Sequence, residues 1–192
     1  MTISQEDLEE HLKSVVEEGF EINPPDFAQL GGWNDILLQT MMAKHFIKRL
    51  RSMDIKLGDV ENVFDQAGTF AAFLVTHGKC FNSAGGHKIS LDREDVFKDA
   101  DVDVASSHAR IMDLRNTYAA HNSSSELVVN TIAIKRKEND IVLRRITTRA
   151  IPVNEFEIFG KAVAAPELYV VIRMNRILHK IGTKLGKQIM LD

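Results

Sequence analysis

The sequence has very little cysteine: among 192 residues, only Cys80 carries a thiol. A single thiol excludes an intramolecular disulfide framework and a zinc site built from several thiolates. The seven histidines show neither HxH nor HExxH spacing, which are patterns typical of metal sites. We therefore expect neither a bound metal nor a cofactor.

Long hydrophobic runs are also absent. No apolar stretch approaches the roughly 18 residues that a membrane-spanning helix needs. The N-terminus, MTISQEDLEEHL, is acidic and amphipathic, unlike a signal or transit peptide. With 44% hydrophobic and 27% charged residues, the composition is that of an ordinary globular protein. These features predict a cytoplasmic protein that does not associate with membranes.

The net charge of −3 is small, but the charges are unevenly distributed. Segment 1–30 is acidic, whereas segments 135–149 and 173–187 are basic. Basic segments of this kind are compatible with a surface that faces phosphates. An equally good interpretation is a solvated face that the acidic N-terminus partly neutralises.

Apolar residues recur with helical spacing over most of the chain. They predict a helix over 5–19 and three longer helices. The first of the three begins near Asn34, and the other two cover about 60–78 and 102–121. The stretches LVVNTIAIK and IVLRRITTR are rich in β-branched residues and predict a β-hairpin. Asn154 and Glu157 resemble the capping box of a last helix, which Pro166 either kinks or restarts.

Together these elements predict a mainly α fold: a four-helix-type antiparallel bundle with short extra helices and one β-hairpin inserted before the last helices. We expect a single domain over residues 1–192, because no linker or internal repeat divides the chain. Segment 1–30 would form an N-terminal helical extension, and segment 127–149 would be the hairpin insertion.

The stretch RNTYAAH, residues 115–121, combines three polar residues at the end of a predicted helix. His121 could exchange a proton near neutral pH, and Arg115 offers a permanent charge suited to a phosphate. Such a pair suits RNA cleavage without a metal: the imidazole removes the proton of a 2′-hydroxyl, the oxygen attacks the neighbouring phosphate, and the cation stabilises the transition state. Asn116 would hold the histidine or the phosphate in place.

The spacing of this pair sets a geometric condition. Six residues of regular helix turn by 600°, so Arg115 and His121 would lie about 120° apart. Either the helix ends or loosens before His121, or the arginine reaches around it. Alternatively, two subunits each contribute a motif to a shared pocket.

The stretch LRNTYAAH, residues 114–121, resembles the signature of the HEPN superfamily (higher eukaryote and prokaryote nucleotide-binding domains). That signature is an arginine, a polar residue and then a histidine, at the end of a helix in a helical bundle. The resemblance in outline covers roughly residues 34–187. One toxin branch has a tyrosine two residues after the histidine, where this chain has Ser123, and much of the superfamily lacks the hairpin.

The resemblance implies a metal-independent endoribonuclease that dimerises so that two motifs face each other. Its catalytic residues would be Arg115 and His121, with Asn116 in support. Family members include toxins, which have antitoxin partners, and phage-defence effectors. The alternative is a non-catalytic dimeric module that binds a nucleotide, RNA or a protein. A third interpretation is structural, with Arg115 tying the helix end to neighbouring carbonyls.

Substrate-binding residues are expected near the motif and on the hairpin. Tyr118 could stack on a base, although a core or interface position is the stronger alternative. Lys135, Arg136 and Arg144 are expected to contact the RNA backbone. His108 lies seven residues before the arginine and is expected to be a packing or surface histidine rather than part of the cleft.

Overall fold

The computed structural model describes residues 4–54, 59–82, 89–119, 127–138 and 140–190. Within these ranges the chain is mainly helical, with one β-hairpin before the last helix. Two short 3-10 turns, Pro25–Phe27 and Val153–Glu155, and a π-helical segment, Arg115–Ala119, connect longer elements. The other elements are α1 Gln5–Glu17, α2 Ala28–Ser52, α3 Val60–Phe81, α4 Arg93–Phe97, α5 Val102–Leu114, β1 Val128–Arg136, β2 Ile141–Arg149 and α6 Phe156–Leu185.

Polar side chains begin several of these helices. Ser4 and Asp7 form a capping box at the start of α1. The carboxylate of Asp59 accepts a hydrogen bond from the backbone N–H of Asn62 at the start of α3. At the other end of the chain, α6 stops at Gly186, whose φ of 62° is the left-handed conformation that glycine adopts without strain.

Four helices pack in a closed ring in the order α2, α3, α5 and α6. Two ion pairs show that α2 and α6 run antiparallel: Lys44 contacts Glu167, whereas Lys184 contacts Asp26 just before α2. The predicted mainly helical fold with a hairpin before the last helix is therefore confirmed. None of the helices in the described part of the chain has the length and apolarity needed to cross a membrane.

The core lies between these four helices and is rich in aromatic side chains. Phe70 and Phe73 of α3 stack on each other, and Phe73 also stacks on Phe159 of α6. A smaller apolar cluster lies towards the other end of the helical bundle and contains Ile36, Cys80, Leu91 and Val170. Burial of the thiol raises the pKa of Cys80 to about 12, so this cysteine is an apolar core residue.

The second helix begins earlier than its sequence predicts. We expected it to start near Asn34, but α2 starts at Ala28 and passes through Gly31 and Gly32. A β-carbon on Gly32 would lie 2.9 Å from Cδ1 of Ile89, so the glycine admits a close approach of that side chain. This glycine is therefore a packing residue within the helix and not a helix breaker.

The last helix also differs from the expectation. Residues Val153–Glu155 form a 3-10 turn, and Glu155 is the N-cap of α6 without a side-chain capping bond. The predicted capping box of Asn154 and Glu157 is therefore wrong. Pro166 lies inside α6 and is buried, so the helix continues through it and does not restart.

The predicted hairpin is present, and its register defines two faces. Opposite residues share a face in an antiparallel pair. One face, here called the isoleucine face, contains Ile132, Ile134 and Arg136 of β1 with Ile141, Leu143 and Arg145 of β2. The other, the lysine face, contains Thr131, Ala133 and Lys135 with Val142, Arg144 and Ile146. All twelve residues are exposed.

Candidate functional site

The predicted third helix changes its geometry at the motif. Its α-helical part ends at Leu114, and Arg115–Ala119 form a π-helical turn. A π turn closes hydrogen bonds five residues apart instead of four, and such turns are frequent at functional sites. Because the helix widens here, the rotation of a regular α-helix does not apply to the motif. His121 lies outside the described residues.

The side chain of Arg115 is held by two asparagines. Its Nη1 donates a hydrogen bond of 3.0 Å to Oδ1 of Asn116. In the amide orientation that satisfies both groups, Oδ1 of Asn82 accepts from Nη2 at 3.0 Å and from Nη1 at 3.2 Å. Asn82 follows the C-terminal end of α3, so the guanidinium bridges the ends of two helices.

The charge of Arg115 has no carboxylate partner among the residues that the structure describes. Both of its hydrogen-bond acceptors are neutral amides, which position the guanidinium without cancelling its charge. The side chain is half-buried, while Asn116 is exposed. This arrangement leaves a positioned cation that can bind an anion.

Gly78 of α3 makes room for this arginine. A β-carbon on Gly78 would lie 3.2 Å from Nε and 3.3 Å from Cδ and Cγ of Arg115. Sequence reasoning identified neither Gly78 nor Asn82 as part of the site. The two residues are four positions apart, which places them on the same side of α3 and its C-terminal cap. No local pattern, however, relates them to Arg115, which is more than 30 positions away in the sequence.

The structure corrects the expectation that Tyr118 binds substrate. The side chain is 8% exposed and belongs to the main core cluster. Its ring contacts Phe70 edge-to-face at a centroid distance of 5.2 Å. Since its ring is enclosed by α3 and its neighbours, Tyr118 is a core aromatic and cannot stack on a base in this conformation.

A buried histidine pair lies further along the same α3–α5 interface. Nε2 of His77 and Nδ1 of His108 are 3.0 Å apart, so one ring donates and the other accepts. Phe81 and Phe97 pack on the ring of His108 at centroid distances of 4.3 and 4.6 Å. This confirms the expectation that His108 is a packing residue.

Burial keeps both histidines neutral. Desolvation, and then the proximity of His108, lowers the pKa of His77 to about 3. Desolvation, and then the charge of Arg93, lowers the pKa of His108 to about 4. The pair is therefore uncharged at neutral pH and joins two helices through one hydrogen bond.

The hairpin separates the three cations that were expected to bind RNA. Lys135 and Arg144 lie on the lysine face, diagonally across the two strands. Arg136 lies on the isoleucine face, opposite to the other two. The three cations therefore do not share one face, and their contact with RNA stays a prediction.

The basic residues of α6 fit both interpretations of their charge: some are neutralised by acidic side chains, and others have no such partner among the described residues. Arg173 donates to the hydroxyl of Tyr169 at 2.7 Å and contacts Asp95 at 3.5 Å. Lys184 pairs with Asp26, an acidic residue of the N-terminal segment. Arg176 and Lys180 line a cavity of about 250 Å³ beside Trp33 and have no ion pair within the described ranges.

Across the described residues, no group of three or more histidine, cysteine, aspartate or glutamate side chains could hold a metal ion. Comparison with protein-family models, with curated proteins and with solved structures finds no match to this chain.

Proposed function

We propose that this protein is a metal-independent endoribonuclease of the HEPN type that acts as a homodimer. The observation that best supports the proposal is Arg115: a half-buried guanidinium, positioned by Asn116 and Asn82, with no carboxylate to neutralise it. It lies where α5 widens into a π turn, six residues before His121. The motif resembles the family signature in residue types, spacing and position at a helix end.

In the proposed reaction, His121 accepts the proton of a ribose 2′-hydroxyl. The resulting oxygen attacks the adjacent phosphorus, and the bond from phosphorus to the 5′-oxygen of the next nucleotide breaks. The products are a 2′,3′-cyclic phosphate and, once the departing oxygen has taken up a proton, a free 5′-hydroxyl. Arg115 would stabilise the charge that develops on the phosphate oxygens, and its fixed position lowers the cost of reorganisation.

The lysine face of the hairpin would supply part of the RNA-binding surface. Lys135 and Arg144 are exposed and share that face, which suits contact with a sugar-phosphate backbone. Neither side chain has an ion pair among the described residues. Binding through them would be independent of base sequence and sensitive to salt.

The decisive experiment incubates the purified protein with structured RNA in the presence of EDTA. We expect cleavage that leaves 2′,3′-cyclic phosphate ends and that is lost in His121→Ala and in Arg115→Ala. Removal of one transition-state donor is expected to lower the rate by about 10²- to 10³-fold. Cleavage that survives both substitutions would rule out the proposed chemistry.

RNA binding by a dimer without any cleavage would favour the alternative, a non-catalytic binding module. A cellular experiment addresses the toxin or phage-defence role: expression should arrest growth, and Arg115→Ala should relieve the arrest. An antitoxin would then be sought as a protein that restores growth when it is co-expressed with the wild-type chain.

A further inference from the structure

Two apolar surfaces of this chain are exposed to solvent, and the charged residues that border them have opposite signs. The first is a stripe on α1, formed by Leu8, Leu12, Val15 and Val16. The helix has no buried residue, and Leu8 and Val16 are 50% and 53% exposed. An isolated helix of 13 residues is marginal in water, so α1 gains stability if this stripe is covered.

The second surface is the isoleucine face of the hairpin. Its four aliphatic side chains, Ile132, Ile134, Ile141 and Leu143, are between 52% and 64% exposed. The hairpin makes its main contacts within itself, and a two-stranded hairpin alone is at best marginally stable in water. A contiguous aliphatic patch on such a hairpin is typical of an interaction site.

The charges around the two surfaces are complementary. Arg136 and Arg145 stand at opposite corners of the isoleucine face, and neither has an ion pair in the described part of the chain. Glu9 lies beside Val16 on the helical wheel and borders the α1 stripe. The segment around it is acidic, with Glu6, Asp7, Glu10, Glu17 and Glu18 against Lys13.

The dimensions also agree. From Leu8 to Val16 the helical stripe is about 12 Å long. From Ile132 to Arg136 the strand extends about 14 Å. One helix laid along the hairpin would therefore cover the aliphatic side chains and bring its acidic border near the arginines.

We propose that α1 of one protomer packs on the isoleucine face of a second copy of this chain, and that a two-fold axis repeats the contact. One chain leaves both surfaces open, whereas two copies cover four surfaces with two identical contacts, as in an isologous dimer. The lysine face stays free in this arrangement.

The test is the mass in solution, measured by light scattering after size exclusion. The wild-type chain is expected to be a dimer. Leu8→Asp/Leu12→Asp and Ile134→Thr/Leu143→Thr are each expected to be monomers that keep most of the helical circular dichroism of the wild type, because α2, α3, α5 and α6 pack together without this contact. Threonine preserves strand propensity in the hairpin variant. Val142→Thr, on the lysine face, is the matched control and is expected to remain a dimer.

Mixing the two monomeric variants separates this contact from other dimers. The α1 variant keeps an intact hairpin and the hairpin variant keeps an intact α1, so the mixture is expected to form a heterodimer with one intact contact. A monomeric wild-type chain, or a mixture that stays monomeric, would overturn the proposal. The proposal would also be overturned if the α1 variant and the hairpin variant each remained a dimer.

Charge reversal provides a second measurement that does not alter the apolar side chains. Arg136→Glu/Arg145→Glu should weaken the wild-type dimer by at least tenfold in dissociation constant, and Glu9→Lys added to it should recover part of the loss. An unchanged constant in the reversed variant contradicts the proposal. This contact rests on the homodimer of the proposed function. The assay reads mass and not RNA cleavage, so a monomeric chain that still cleaves RNA would overturn the dimer and leave the cleavage chemistry standing.

Discussion

The side chain of Arg115 lies directly over Gly78, so that a β-carbon on this glycine would stand 3.2 Å from Nε of the arginine. The guanidinium reaches Asn82 along this path, where it receives its second amide acceptor. A substitution at Gly78 therefore acts on the position of Arg115 without changing any proposed catalytic group.

Gly78→Ala is expected to lower RNA cleavage by about tenfold, because a few tenths of an ångström of displacement move the guanidinium out of its position. Stability should change little, since alanine favours the helix while the contact opposes it. Gly68→Ala, also on α3, has open space around the new β-carbon and should keep full activity. Cleavage rates and thermal unfolding of both variants provide the comparison, and equal rates would contradict the positioning role.

Asn116→Asp is expected to abolish most of the activity by neutralising Arg115. A carboxylate would take the place of the amide oxygen that now lies 3.0 Å from Nη1, and the new ion pair would compete with the phosphate. We expect a loss on the order of 10²-fold in cleavage rate without a loss of stability. Asn116→Ala, which removes the acceptor without adding charge, should lose less. An aspartate variant as active as the wild type would exclude an electrostatic role for this arginine.

Arg144 and Arg145 are neighbours on one strand but lie on opposite faces of the hairpin. Arg144→Gln is expected to weaken RNA binding and to reduce the slope of log affinity against log salt by about one. Arg145→Gln removes the same charge from the isoleucine face and should leave the slope unchanged. Both are titrated with RNA over a range of salt, at protein concentrations that keep the oligomeric state constant. A wild-type slope in Arg144→Gln would show that Arg144 of the lysine face does not contact the RNA backbone.

The buried histidine pair predicts that stability falls with acidity. Both pKa values are lowered in the folded state, to about 3 and about 4, from a usual 6.5. The contribution of the pair is therefore complete above pH 6.5 and is lost as the pH falls through about 4 and then about 3, because the unfolded chain takes up the protons first. Each histidine contributes at most about 1.4 kcal/mol per pH unit to this slope.

Chemical denaturation between pH 7 and pH 4.5 measures this dependence as the free energy of unfolding. His77→Gln/His108→Gln should flatten the curve, since glutamine does not titrate in this range. His179→Gln changes an exposed histidine of α6, outside the proposed dimer contact, and serves as the control, with the slope of the wild type. A double variant that keeps the full slope would assign the pH dependence to other groups.

Most of the fold follows from local patterns. Helical spacing of apolar residues predicts the helices, and β-branched stretches predict the hairpin, because both patterns are local consequences of backbone geometry. Helix ends were predicted less well. The second helix was expected to begin near Asn34, but α2 begins at Ala28 and passes through Gly31 and Gly32. The close contact of Gly32 with Ile89 involves a residue nearly 60 positions away in the sequence, so no local pattern predicts it.

The sequence by itself determined the helical class, the hairpin and the residue types of the motif, since these depend on spacing along the chain. Only the tertiary structure decided which side chains meet Arg115, that Tyr118 belongs to the core, and that Arg136 faces away from Lys135 and Arg144. Contacts between distant segments depend on how the helices pack and on strand register, which no local pattern specifies.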